Sequence, residues 1–340
     1  MSKIRVAING FGRIGRVVTR CWLDDPDLPD VEIVGINDLA DAEQMAHLLR
    51  YDSVHGRFPH EVRLEGDTLH IGTHAARYTS IADPAQLPWK ELDVDIVLEC
   101  TGLMLKKELA QKHLDAGAKR VLLSAPPKGE GVPTIVLGVN EKTFDPASDL
   151  VVSNASCTTN CLAPLAHVLH EEFGMERGLM VTVHSYTNDQ NMHDSPHKKD
   201  WRRARAGGLS MIPTSTGAAK AVGLVLPHLK GRLSGYAVRV PTPNVSLLDL
   251  TVQTRDPVSV ESINEAVKRR SNSDLDKILR WTDEPLVSRD LLGDPHSCIF
   301  DSLCTQVADD HLAKVVAWYD NEVGYSYRLI ELAAYVGRHI

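Results

Sequence analysis

The stretch Ser153-Asn-Ala-Ser-Cys-Thr-Thr-Asn-Cys161 places a thiol among small polar residues. Val151-Val152 before it closes a β-branched run. Leu162, Leu165, Ala166, Val168 and Leu169 after it recur at helical spacing as far as Gly174, a stop signal. Cys157 is therefore expected at a strand-to-helix turn, where unpaired N–H groups and the helix dipole favour negative charge. A thiol so placed should lose its proton more easily, and the thiolate is the nucleophile. Cys161 follows one helical turn later. It is either a resolving thiol after oxidation or a buried packing residue, and the narrow geometry of disulfides favours the second. His184 ends the predicted strand 178–184. An imidazole titrates near neutral pH and can move a proton there. As an imidazolium beside the thiol it would also lower the pKa of Cys157.

A second constellation opens the chain. Strand Ile4–Ile8 runs into Gly10-Phe-Gly-Arg-Ile-Gly15, a helix follows from Arg16, and Asp38 closes the next strand, 31–36. In that order a G-x-G-x-x-G is a strong dinucleotide signature. Gly10 permits the tight turn, Gly12 lets the backbone approach a pyrophosphate, and Gly15 lets helix and strand pack closely. The helix N-terminus receives the phosphates, and the Asp38 carboxylate can accept from a ribose diol. Thr101 and Ser124 stand at later strand ends, where ligands of open α/β sheets bind.

These residues need elements to hold them. In the first half, strand and helix signals alternate: helix 42–51, a hairpin within 61–71 turning at Glu65-Gly-Asp67, strand 95–100, helix 106–116 and strand 120–124. The second half differs. Residues 185–205 form a long polar segment holding Thr187, Asp189, His193, His197, Arg202, Arg203 and Arg205. Ile212 to Gly217 is a hydroxyl-rich turn before helix 218–225. Strands 235–240 and 246–254 have no helix between them and read as a hairpin, so a mainly antiparallel sheet is expected. Helices 260–270 and 325–336 complete the pattern.

At 340 residues the chain is long enough for two cores. A net charge of −8 argues against a general nucleic-acid or membrane-surface role, and no apolar run reaches the roughly 20 residues of a membrane span. The start enters a strand without a signal peptide, and the six scattered cysteines read as free thiols, so a cytoplasmic protein is expected.

Together these residues resemble phosphorylating glyceraldehyde-3-phosphate dehydrogenases over essentially the full length. The likeness rests on Asn9 to Arg16, Asn37-Asp38-Leu39, Tyr51 to Gly56, Ser153 to Cys161, His184 to Gln190, Thr214 to Lys220, Arg239 to Asn244 and Trp318 to Glu322. Cys100, Leu103-Met104 and Val323 depart from the common pattern. The resemblance implies an α/β fold: a Rossmann domain over 1–156, completed by the C-terminal helix 321–340, and an α+β catalytic domain over 157–320. It implies NAD as cofactor, no metal, and a homotetramer in which the long loop nears a neighbour's cofactor.

It also implies roles. Cys157 would attack the aldehyde of glyceraldehyde 3-phosphate and His184 would take the hydroxyl proton. The resulting thioester would be cleaved by inorganic phosphate to 1,3-bisphosphoglycerate. Thr187, Asp189 and Arg239 would serve the substrate phosphate; Ser156, Thr158, Thr216 and Gly217 would serve inorganic phosphate. Cofactor contacts would come from Gly10, Phe11, Gly12, Arg13, Ile14, Gly15, Asp38, Leu39, Thr101, Gly102, Ser124 and Asn321, with Pro196 from the adjacent subunit. Asp38 and Leu39 offer nothing to a 2′-phosphate, so NAD is expected over NADP. A same-fold alternative is erythrose-4-phosphate dehydrogenase, which hydrolyses its thioester. An alternative of another class is a nucleic-acid or protein-binding role through the basic run Lys198 to Arg205, although such runs are usually solvated faces.

Overall fold

The structure, a computed structural model, describes residues 3–24 and 30–340. The chain divides into two compact units. The first comprises Met1–Ile135, Lys142–Ala155 and Ser326–Ile340, and the second Val136–Glu141 and Ser156–Tyr325.

The first unit is built from β1 (Ile4–Asn9), α1 (Arg13–Asp24), β2 (Val31–Asn37), α2 (Ala42–Arg50), the short ribbon of β3 (Tyr51–Asp52) and β4 (Gly56–Arg57), β5 (Val62–Glu65), β6 (Thr68–Ile71), β7 (His74–Thr79), β8 (Ile96–Glu99), α3 (Lys107–Asp115), β9 (Arg120–Leu123) and β10 (Val151–Ser153). Its large sheet has the order β10-β9-β8-β1-β2-β7-β6-β5. The strands from β10 to β7 are parallel, and β6 and β5 add an antiparallel edge. The order reverses at β1, between β2 and β8, and such a switch point opens a crevice beyond the strand ends. Ile8, Ile36, Leu98 and Leu122 are fully buried at the sheet centre, as strands covered on both faces require.

The second unit holds α4 (Cys157–Phe173), β11 (Met175–Ser185), β12 (Ile212–Ser215), α5 (Ala218–Val225), β13 (Leu233–Val240), β14 (Ser246–Thr254), α6 (Val260–Ser271), β15 (Leu279–Thr282), β16 (Cys298–Asp309) and β17 (Leu312–Tyr319). The order is β12-β13-β11-β14-β17-β16-β15. The expected hairpin of β13 with β14 does not form. β11 lies between them, parallel to β13 and antiparallel to β14, and residues 241–245 cross its end, where Thr242 O accepts from Tyr186 N–H at 3.2 Å. The sheet remains mainly antiparallel, with β11–β13 and β15–β16 as its parallel pairs.

The last helix, α7 (Val323–Gly337), belongs to the first unit from Ser326 onward. There Leu329, Ile330, Leu332 and Ala333 are fully buried, and Gly337 passes so close to Ile4 that a Cβ would lie 2.6 Å from its side chain. The division falls after Ala155 and after Tyr325. Residues 136–141 join the second unit, where Gly138 packs on Leu275 and Ile278.

Candidate functional site

In the second unit, α4 starts at Cys157 itself. Ser156 is its N-cap: its Oγ accepts from Thr159 N–H at 3.1 Å and shares a 2.7 Å hydrogen bond with Thr159 Oγ1. Strand alternation does the rest. Met180, Thr182 and His184 of β11 point to the buried face, as do Ala237 and Arg239 of β13, and parallel register sets His184 beside Arg239. His184 Nε2 lies 3.5 Å from Cys157 Sγ, and its Nδ1 lies 2.8 Å from Ser185 O and 2.6 Å from Arg239 Nη1. Tyr319 at the end of β17 packs its ring edge-on to His184 and joins Thr158 and Thr182 by 2.8 Å hydrogen bonds. A nucleophile, a proton carrier and a cation thus converge from three elements.

The charges differ from the sequence expectation. Burial pushes the Cys157 thiol up, against the Arg239 charge and the Thr158 N–H, which favour the thiolate. The residue keeps partial solvent access, so this desolvation is incomplete. His184 is almost fully buried. Burial and then the Arg239 charge pull it down to about 3, against a hydrogen bond to Ser185 O. Burial and the neighbouring guanidinium thus both disfavour the imidazolium, and Arg239 adds a positive charge beside the thiol.

Around this centre the predicted phosphate ligands are spread. The Thr158 hydroxyl turns inward to Tyr319. Thr216 Oγ1 accepts from Ala218 N–H at 3.2 Å, and exposed Gly217 is the N-cap of α5. Thr187 N–H donates to Gln190 Oε1 at 2.9 Å, and Asp189 accepts from Arg203 at 2.6 Å. Arg203 also donates to Thr214 Oγ1 at 2.7 Å and to Ser215 O at 3.2 Å, which brings a second guanidinium next to Thr216. Sequence reading had placed Arg203 only within a basic run; besides nearby Asp200, its partners Asp189, Thr214 and Ser215 lie 11 to 14 residues away and gave no local signal. Arg205, from the same run, pairs with Asp194. Asn321 Oδ1 accepts from the Ser185 and Ser246 hydroxyls at 2.9 and 2.8 Å, which fixes its amide behind the His184 strand. Pro196 is exposed on the loop between β11 and β12.

In the first unit, a cavity of about 310 Å³ sits at the switch point, lined by Gly10, Gly12, Asp38, Leu39, Pro84 and Thr101 among others. Gly10 has φ +94°, and a Cβ there would meet Thr101 N at 2.7 Å; a Cβ on Gly15 would lie 2.4 Å from Gly10 O. Nothing occupies the space beside Gly12, so a ligand backbone has free approach there. Asp38 accepts from Phe11 N–H at 2.7 Å and from Ala40 N–H at 3.0 Å, so the carboxylate is locked at the crevice edge. Phe11 is buried, Ile14 lies in the first turn of α1, and the Arg13 side chain turns away to Asp52. Burial alone would raise the Asp52 carboxyl, but the N–H groups of His55 and Val54 together with Arg13 bring it to about 2. Exposed Leu39 and Thr101, Gly102 at φ +70° and half-buried Ser124 complete the strand-end positions. The glycine cradle, the free helix N-terminus and the ribose-height carboxylate fit a dinucleotide.

Beneath this crevice lies a network that sequence reading missed. Glu99 is fully buried at the end of β8. It accepts from Asn9 Nδ2 at 2.7 Å, from Thr101 N–H at 2.9 Å and from the Thr101 hydroxyl, with His113 Nε2 at 3.1 Å. Trp89 Nε1 donates to His113 Nδ1 at 3.0 Å.

Comparison with known proteins agrees with this architecture. Residues 4–107 match the family model described as glyceraldehyde 3-phosphate dehydrogenase, NAD binding domain, and residues 156–321 match its C-terminal domain. The chain belongs to the glyceraldehyde-3-phosphate dehydrogenase family. It is 56% identical over 333 residues to glyceraldehyde-3-phosphate dehydrogenase of Geobacillus stearothermophilus, with 98% of each chain covered. To glyceraldehyde-3-phosphate dehydrogenase 1 of Bacillus subtilis it is 53% identical, again over 98% of each. The Mycobacterium avium relative is 53% identical over 99% of each. The first unit is thus an NAD-binding Rossmann domain, and the chain is an NAD-dependent oxidoreductase of this family. Among the described residues no helix is long and apolar enough to cross a membrane.

Proposed function

We propose that the protein oxidises glyceraldehyde 3-phosphate to 1,3-bisphosphoglycerate in the cytoplasm, taking up inorganic phosphate and reducing NAD. The observation that carries this reading is the 3.5 Å approach of Cys157 Sγ to His184 Nε2 at a helix N-terminus, with Arg239 beside both. The Cys157 sulfur attacks the aldehyde carbon and gives a thiohemiacetal. The α4 N-terminus faces the oxyanion as it forms. His184 Nε2 takes the hydroxyl proton as the carbonyl re-forms to a thioester. Bound NAD supplies the hydride acceptor. A phosphate oxygen then attacks the thioester carbon, and the Cys157 thiolate leaves. Arg239 would present a planar fork of donors to the substrate phosphate, with Thr187 as a further ligand and Asp189 ordering the loop through Arg203. Arg203, Thr216 and Gly217 form the second anion site. In the crevice Asp38 takes the adenosine ribose and disfavours a 2′-phosphate.

The assembly we propose is a homotetramer. Helices cover only one face of the second unit's sheet. The other face exposes Leu179, Val183 and Tyr236, and the 186–211 loop exposes Trp201 and Leu209, apolar side chains that subunit contacts would cover. Through such contacts Pro196 would reach a neighbour's ribose.

One spectrophotometric assay tests the reaction. NADH formation from glyceraldehyde 3-phosphate should require inorganic phosphate and vanish in Cys157→Ser, because serine offers no stabilised anion at neutral pH. Turnover independent of phosphate would instead favour the hydrolysing erythrose-4-phosphate reaction, and near-normal turnover by Cys157→Ser would refute the covalent route.

A further inference from the structure

The buried network beneath the crevice fixes its own protons. Ile81 N–H donates to Asn37 Oδ1 at 2.9 Å, so the other end of that amide is its Nδ2, which donates to Asn9 Oδ1 at 2.8 Å. Asn9 therefore turns its Nδ2 to Glu99 Oε2 at 2.7 Å. His113 is fixed in the same way. An indole N–H only donates, so the Trp89 contact at 3.0 Å leaves His113 Nδ1 without a proton, and the ring N–H sits on Nε2, 3.1 Å from Glu99 Oε2. Glu99 Oε1 accepts from Thr101 N–H at 2.9 Å and from the Thr101 hydroxyl, which itself accepts from Leu103 N–H at 3.0 Å. Glu99 thus meets four donors with four lone-pair sites, the pattern of an ionised carboxylate. Among the described residues His113 is its only titratable hydrogen-bond partner, and Trp89 keeps that ring uncharged.

A fully buried negative charge without a cation is costly to keep, and its place gives it a use. Asp38 follows β2 and the glycine turn follows β1. A dinucleotide with its adenosine ribose on Asp38 and its pyrophosphate on the turn runs on across the switch point to the β8 side. Glu99 ends β8. Its partners Asn9 and Thr101 line the cavity, as does the next residue, Cys100. The nicotinamide ring of NAD is cationic and that of NADH is neutral, while the rest of the molecule keeps the same charge. We propose that Glu99 is an electrostatic determinant of cofactor redox state: its buried charge shifts the affinity of the crevice towards NAD and away from NADH. This rests on the reading of Asp38 as the ribose site and adds to it a preference between the two forms of one cofactor.

The field of Glu99 reaches the cavity wall. Burial first and the Glu99 charge second push the Cys100 thiol up to about 12. The two guanidinium groups of the glycine turn point to other acceptors, Arg13 to Asp52 and Arg16 to Phe11 O at 2.7 Å. Reduction of the nicotinamide ring by hydride adds two electrons and one proton, and the ring loses its positive charge. Glu99 reads only that difference, because the pyrophosphate and both riboses are common to the two forms. A buried charge is little screened by salt, so the preference persists at high ionic strength. For an oxidation of substrate the consequence is direct: the form of the cofactor that is consumed is retained, and the form that is produced is let go.

The test is binding, not turnover. Dissociation constants for NAD, NADH and ADP-ribose are measured by calorimetry on the full chain carrying Cys157→Ser, so that the reactive thiol adds no charge of its own. ADP-ribose has the pyrophosphate but no nicotinamide and reports the integrity of the crevice. A structural loss common to all three ligands cancels in the ratio of Kd for NADH to Kd for NAD. Glu99→Gln should lower that ratio by about tenfold, the scale of one unit charge acting through protein at intermediate dielectric. For a two-electron couple the same tenfold raises the potential of the bound cofactor by about 30 mV. Trp89→Phe is the second arm and leaves Glu99 in place. It frees His113 Nδ1 to take a proton, and the imidazolium would cancel the carboxylate. The ratio in Trp89→Phe should therefore fall by about tenfold between pH 8 and pH 6, while that of its parent stays flat. An unchanged ratio in folded Glu99→Gln, or a flat one in Trp89→Phe, overturns the assignment. Failure of the crevice reading shows separately, as an ADP-ribose affinity that Asp38→Ala leaves unchanged.

Discussion

Each unit of the molecule buries a histidine, and the two rings have the same pattern of partners. His113 receives a hydrogen bond from Trp89 on Nδ1 and faces the Glu99 carboxylate with Nε2. His184 has Arg239 on Nδ1 and the Cys157 sulfur at Nε2. The difference lies in what the partners can do. Trp89, His113 and Glu99 are all fully buried, and an indole N–H is a permanent donor on a rigid ring. Arg239 and Cys157 are only half-buried, one on a flexible stem and the other able to change charge. A closed ring of fixed partners gives a strut under the cofactor crevice. The same pattern built from movable partners gives a reactive site.

The largest effect should come from exchanging the two roles. His184→Gln should lower turnover roughly a hundred- to ten-thousandfold, the range of a general base, with little change in unfolding free energy. His113→Leu should do the reverse. It orphans the Trp89 N–H and takes a donor from a buried carboxylate, which should cost about 2–4 kcal/mol, while kcat at saturating NAD stays within a few-fold. Parallel denaturant and steady-state measurements check both. A His113→Leu protein of normal stability and lost turnover would break the comparison.

A smaller effect sharpens it through pH. His184 is held near 3 in the folded chain against an ordinary 6.5. Between those values the unfolded chain binds a proton that the folded one refuses. Stability is thus fully present above about pH 6.5 and falls as pH drops towards 3, with a slope approaching about 1.4 kcal/mol per pH unit. Asp52, held at about 2 against 3.8, starts to lose its contribution only below about pH 4, so the two windows barely overlap. Urea unfolding at pH 7, 6 and 5 should show wild type losing more than His184→Gln. Equal losses would mean that the ring titrates normally.

The two sites were not equally legible in the sequence. The crevice is written within 30 residues: Gly10, Gly12, Gly15 and Asp38 act through backbone shape and one carboxylate, and both are local properties. The α4 N-terminus was legible for the same reason, since Ser156, Cys157 and Thr159 are neighbours in the chain. What escaped depends on non-local pairing. The hairpin inferred for residues 235–254 failed because β11 inserts between its arms, and a turn sequence carries no trace of an intervening strand. Arg203, Glu99 and His113 gained their meaning largely from partners outside their own elements, such as Thr214, Asn9 and Trp89. The thiol illustrates the balance: the helix terminus was read correctly, but the burial that opposes it comes from packing.

The smallest expected effect lies one helical turn from the nucleophile. Cys161 is fully buried, with the equally buried Cys298 of β16 as its neighbour. Burial and that neighbour push the Cys161 thiol well above the ordinary range, so it holds little thiolate with which to attack an oxidised Cys157. An i+4 pair on a regular helix also points its two Cβ atoms along the same face, and bridging them would require the first turn of α4 to unwind together with its Ser156 cap. Cys161 thus acts as packing, the counterpart within the catalytic unit of the His113 strut. Cys161→Ser puts a hydroxyl beside the Cys298 thiol in an apolar setting, which should cost about 1 kcal/mol. Its kcat/KM should stay within about threefold of wild type, and reductant should restore peroxide-treated enzyme at the same rate in both proteins. A loss of turnover as complete as that of Cys157→Ser would place Cys161 in the reaction, and a markedly altered recovery would make it a resolving thiol.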